Sequence, residues 1–202
     1  NAKVELTDNF KVIGYAFLFD YDDSPAFSTD TFGIRAEGGL ELGDGKFSLL
    51  GEFATQSDAS NNPASFDTDY YRLQAIWKGG ILMAGLGYEV LGSDNSQGFR
   101  TPLATLHAFN GWADQFLGTP ADGLEDMYFR LGVTLGKWSL EGRYHDFGAE
   151  VSSENFGREI DLQAKRALGK RYSLLLKAAF FDSRSPSFDD VTKLWLMLSA
   201  NY

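Results

Sequence analysis

Apolar and polar residues alternate along most of this chain with a period of two. Successive strand side chains point to opposite faces, so this is the signature of β-strands with one oily face. The closing stretch "TKLWLMLSANY" sets Leu194, Leu196, Leu198, Ala200 and Tyr202 against Lys193, Trp195, Met197, Ser199 and Asn201. "TFGIRAEGGLEL" sets Phe32, Ile34, Ala36, Leu40 and Leu42 against Gly33, Arg35, Glu37 and Glu41, and "EDMYFRLGVTL" sets Met127, Phe129, Leu131, Val133 and Leu135 against Asp126, Tyr128, Arg130 and Thr134. In "FKVIGYAFLFDY" the heavier set is Ile13, Tyr15, Phe17 and Phe19, which places it with the oily faces and leaves Gly14, Ala16 and Leu18 on the other side. Continued along the chain, the pattern predicts about ten strands.

The connections alternate too. Short glycine turns at Gly43 to Gly45, Gly79 and Gly80, Gly136 and Lys137, and Gly169 and Lys170 take turns with longer polar segments near 22–30, 57–66, 92–123, 147–156 and 183–191. Tight turns at one end and long loops at the other are the habit of outer-membrane barrels. The fold class is therefore all-β, an antiparallel up-and-down transmembrane β-barrel, with residues 1–202 forming one domain. Both termini are expected in the periplasm, with lipid and lipopolysaccharide around the wall and Tyr202 as a C-terminal signal for the barrel-assembly machinery. A soluble sandwich explains the alternation equally well. It does not explain the aromatic placement, with Trp77, Trp138 and Tyr172 beside the short turns and Phe19, Tyr21, Tyr88 and Tyr144 toward the long loops, as two interfacial girdles would require.

Composition narrows the functions. The net charge is −10, which argues against a nucleic-acid surface. There is no Cys, hence no thiolate metal site or thiol nucleophile. No run approaches the roughly 18 apolar residues of a spanning helix.

The segment 92–123 is long enough to hold structure of its own. Thr101 reads as a helix N-cap, Pro102 as its first residue and Gly118 as its stop. Leu103, Leu106, Phe109, Trp112 (or Ala113) and Phe116 then share one face of a short helix, acting either as a lid or as a constriction folded into the barrel mouth.

"YEVLGSD", "GFRTPLATLHAFNGWADQFLGTPADGLEDMY", "YHDF" and "KLWL" resemble the alginate-export family of bacterial outer-membrane barrels, in particular its porin-like members. The resemblance implies a channel whose cationic lumen passes an anionic uronate polymer. Members of that family are longer, and lumen width grows with strand number. The chain is then either a small closed barrel or the C-terminal half of a larger one.

On the face opposite the oily one lie Arg35, Arg72, Arg130, Arg143, Lys165, Lys177 and Lys193, while much of the acidic surplus sits in loop segments such as "DYDDSP" and "SFDDVTK". Rings of Arg and Lys make anion-selective pores, so the leading expectation is a porin passing anionic solutes. The alternative is a filled structural barrel in which Glu37, Glu52, Asp126, Glu141 and Asp161 neutralise these cations. An outer-membrane hydrolase is a third class. Its candidates are His107 and His145, but His145 and the adjacent Asp146 point to opposite faces and no "GxSxG" or "HExxH" occurs, so no catalytic residue, metal or cofactor is expected.

Overall fold

The computed structural model describes residues 1–104 and 106–200, and only the backbone at Leu106; Tyr202, the expected assembly signal, lies outside the described residues. The chain is an antiparallel meander with almost no helix. Its strands are β1 (Ala2–Thr7), β2 (Phe10–Phe19), β3 (Thr29–Leu42), β4 (Gly45–Asp58), β5 (Asp67–Gly79), β6 (Leu82–Leu91), β7 (Ser93–Asp94), β8 (Gln97–Gly98), β9 (Leu124–Leu135), β10 (Trp138–Gly148), β11 (Asn155–Ala167), β12 (Tyr172–Ser183) and β13 (Val191–Ala200). Eleven of them form one sheet in chain order, interrupted only where β6 pairs directly with β9 and the hairpin β7–β8 stands apart. Among the described residues β1 and β13 each have a single neighbour. The eleventh strand, absent from the sequence expectation, is β1, whose short alternation of Ala2, Val4 and Leu6 with Lys3, Glu5 and Thr7 pairs with β2 across the Asp8–Asn9 turn.

One face of the sheet is apolar and uncovered: Leu131 is 53% exposed and Leu196 73%. Aliphatic side chains left this open are stable only against something oily, since each would gain about 1.5–3 kcal/mol by burial. The opposite face carries the polar side chains and the buried residues, among them Phe147, Glu159 and Asp161.

Strand β2 corrects the expectation. Ile13, Tyr15, Phe17 and Phe19 lie directly across from Arg35, Gly33, Thr31 and Thr29, and residues directly opposite in an antiparallel pair share a face. The Tyr15 hydroxyl donates to Glu52 Oε1 at 2.8 Å, so the set is on the polar side, and Gly14, Ala16 and Leu18 face outward. Phe19 and Tyr21 accordingly leave the outer girdle. Both faces of β2 are apolar in sequence, so alternation could not choose between them; the pairing register did. Gly33 makes room for this arrangement, because a Cβ there would come within 2.2 Å of the Tyr15 ring.

Candidate functional site

The inner wall is a lattice of ion pairs between neighbouring strands. Arg35 on β3 donates through Nε and Nη2 to Glu52 on β4 at 2.9 and 3.0 Å, a two-pronged guanidinium–carboxylate pair. On β9 and β10, Arg130 and Arg143 are register partners, and both donate to Oε1 of Glu141, at 2.8 Å each. Two guanidiniums thus share one carboxylate. Arg72 on β5 donates to the Tyr128 hydroxyl at 3.2 Å, beside Gln74 at 2.6 Å. Lys165 lies on the same face of β11 as Gln163, which donates to Glu141, but nearer the short-turn end, and it is exposed. With Lys177 and Lys193, all seven of these cations lie on the polar face of the sheet.

Segment 92–123 folds against this wall, but not as a helix. The described part of this segment has one 3-10 turn, Leu106–Ala108. Asn110, Gly111 and Asp114 adopt φ of 51°, 82° and 58°, in the left-handed region that no right-handed helix contains. The predicted single face is divided: Leu103 is 68% exposed and Phe109 half-exposed, whereas Trp112 and Phe116 are buried; the side chain of Leu106 lies outside the described residues. Burial against the wall outweighs the local capping signal.

The anchors are specific. Phe116 enters an aromatic cluster with Phe147, Phe156, Phe181 and Phe188, its centroid 4.5 to 5.9 Å from theirs. Trp112 lies between two cations, 3.7 Å from Lys177 Nζ and 4.7 Å from Arg143 Cζ. The Ala113 amide donates to Glu159 Oε1 at 2.7 Å. The Asn110 amide donates to Glu89 and Asp126, both at 3.4 Å. Asp114 accepts from Lys193 at 2.7 Å and pairs with His107 Nδ1 at 2.6 Å, while His107 Nε2 meets Lys177 at 2.7 Å. Burial alone would raise the Asp114 carboxyl, but its bonds to Lys193 and His107 outweigh that and hold it below its ordinary value. Lys177, Arg143 and Lys193 therefore hold the loop as well as lining the wall.

Sequence reasoning missed one buried constellation. His145 does not pair with Asp146; its Nδ1 lies 2.8 Å from Asp126 Oδ1 on the neighbouring strand. Its Nε2 faces Asp161 Oδ2 at 3.8 Å, and Glu159 and Asp161 are fully buried nearby. The partner is a diagonal neighbour across the sheet, which only the register of β9 and β10 reveals. No serine, threonine or other nucleophile bonds to this pair among the described residues.

An outward apolar face, an inward lattice of ion pairs and a long loop folded onto the inner wall are the architecture of outer-membrane porins, and comparison with solved structures agrees. OccK5 (OpdH) of Pseudomonas aeruginosa superposes with a TM-score of 0.74 at 12% identity, over 99% of this chain and 57% of that one. OprD of the same organism gives 0.75 at 13%, over 98% and 57%, and OccAB4 of Acinetobacter baumannii 0.78 at 13%, over 98% and 51%. The likeness is one of fold, and the chain spans a little over half the length of each. Neither family models nor curated proteins gave a match.

Proposed function

We propose that this chain forms wall and constriction of a porin-type diffusion channel in the bacterial outer membrane, with its short turns and the C-terminal end of β13 on the periplasmic side; the expectation that both termini lie there does not hold for the first residues, because β1 pairs Ala2 with Gly14 in the middle of β2. The observation that carries the reading is the division of one sheet into an exposed apolar face and a charged face onto which the loop 92–123 folds. In this reading residues 1–202 act as one domain. The single-neighboured strands β1 and β13 and the share of the porin structures covered, 51% to 57%, support a larger barrel over a small closed one.

Anionic solutes are the cargo this lumen favours. Glu141 balances only one of the two guanidiniums it touches, and fixed cations in a low-dielectric wall concentrate anions. Export of a uronate polysaccharide is the longer-range form of the same reading and draws its support from the sequence resemblance alone. The channel structures OccK5 and OprD, not enzymes, are the folds the chain matches, in keeping with a non-catalytic role.

Reversal potentials in planar bilayers under a salt gradient test it. The wild type is expected to prefer anions, and replacing Arg130, which bonds Glu141 rather than the loop, by Gln is expected to move the potential toward the cation side. Insertion without current would favour a filled structural barrel, for which the Phe116 cluster at the inner wall is the specific support.

A further inference from the structure

The inward side chains of β2 form a row of rings. Tyr15, Phe17 and Phe19, continued by Tyr21, have centroids 5.4, 6.1 and 6.0 Å apart, and the Phe17–Phe19 and Phe19–Tyr21 planes are within 9° and 27° of parallel. On a lipid-facing surface such a row needs no explanation. These rings face the polar side of the sheet, and Phe17 and Tyr21 keep 42% and 37% of their surface open.

The loop supplies an opposing wall. Phe99 and Phe109 stand across from the row, and between them lies a cleft of about 430 Å³, within the range of roughly 300–1,000 Å³ usual for small-molecule sites. Its polar groups are Arg35 with Glu52, Arg72 with its register partner Glu89, and Asn110. Arg100 also reaches the cleft, but its guanidinium is turned toward the Ala26 carbonyl and Gln97. Arg35 with Glu52 and Arg72 with Glu89 cancel as pairs, so the excess charge of the cleft is the single guanidinium of Arg100, held at its loop side by neutral partners. The cleft does have donors and acceptors at fixed positions, among them the Arg35–Glu52 pair and the Asn110 side chain. A purely apolar ligand would leave these polar groups unmatched at about 1–3 kcal/mol each, and an anion would meet Glu52 and Glu89. The matching chemistry is an uncharged ring with apolar C–H faces and a hydroxylated rim.

We propose that this cleft is a binding track for neutral oligosaccharides, with sugar rings stacked on Tyr15, Phe17 and Phe19 and their hydroxyls bonded to Arg35, Glu52, Arg72 and Asn110. The track rests on the channel reading only for the route by which sugar arrives, and binding needs no current.

Titration calorimetry of the whole protein in an amine-oxide detergent, which carries no sugar headgroup, tests it with maltohexaose and with a uronate hexamer. Maltohexaose is expected to bind the more tightly. Phe17→Ala and Phe17→Leu should each weaken it about two- to tenfold, the range for loss of one stacking contact, while Leu18→Ala on the outer face leaves it unchanged. The leucine variant separates ring stacking from apolar bulk if the alanine variant fails to fold. Absence of maltohexaose binding, tighter binding of the uronate, or full affinity in a folded Phe17→Leu protein would each overturn the proposal. Intact maltohexaose binding by a protein that carries no current would uphold the track and remove the channel.

Discussion

Replacing Trp112 by Ala should detach the loop from the wall while leaving the sheet intact. The indole is 3% exposed, and truncating a side chain buried to that degree costs about 3–5 kcal/mol. Part of that loss is its position between Lys177 and Arg143, where each cation over the ring contributes about 0.5–2 kcal/mol. Taking 3 kcal/mol as the lower bound, and a tenfold change per 1.4 kcal/mol, the open population of the loop should rise by about two orders of magnitude. Hydrogen exchange reads this locally: amides of residues 110–116 should lose protection to that extent, and those of β9 to β12 should keep theirs. A Lys177→Met partner variant closes a double-mutant cycle, in which the coupling to Trp112 should be about 0.5–2 kcal/mol. Single-channel conductance should increase in the Trp112 variant if the loop narrows the path. Unchanged exchange at 110–116, or equal loss of protection in the strands, would refute the view that Trp112 is a local clamp.

Three further outcomes are expected. Leu131→Arg, on the open outer face of β9, should cost about 2–4 kcal/mol in membrane-refolding titrations if the residue sits near the bilayer midplane; a mild effect there means the outer face does not meet lipid. Gly111→Ala should destabilise the loop by more than about 1 kcal/mol, measured by limited proteolysis, because φ is 82° and the new Cβ would sit 2.5 Å from Glu159 Oε2. The Asp114 carboxyl, held below its ordinary value of 3.8, should stabilise the loop at neutral pH and release that contribution as acid titrates it below that value. Loop cleavage by an acid-active protease should therefore rise at low pH in the wild type and depend less on pH in Asp114→Asn.

Strand faces were legible wherever one face was polar. Leu131 opposite Arg130, or Leu196 opposite Trp195 and Lys193, could be assigned because a carrier of charge cannot face oil. Strand β2 could not, since Phe17 and Leu18 are both apolar, and the choice was made by pairing with Arg35 and Gly33. The alternation of short and long connections also survived, because glycine turns are written locally. The loop did not. Thr101 and Pro102 are sound local signals for a helix start, but the backbone reverses hand at Asn110, Gly111 and Asp114, where side chains from β6, β9, β11 and β13 grip it. The cations were visible as a set, while their partners were not: Glu141 between two arginines and Asp126 beside His145 follow from register, which no spacing along the chain encodes.

The double employment of Lys177 sets a rule for reading any charge scan of this lumen. The same ammonium holds His107 and the face of Trp112, so neutralising it alters the electric field and the width of the passage in one stroke, and a shifted current cannot be assigned to either. Arg130 touches Glu141 but is not among the side chains that grip the loop. There, as at Arg35 beside Glu52, charge can be varied without removing a side chain that itself holds the loop.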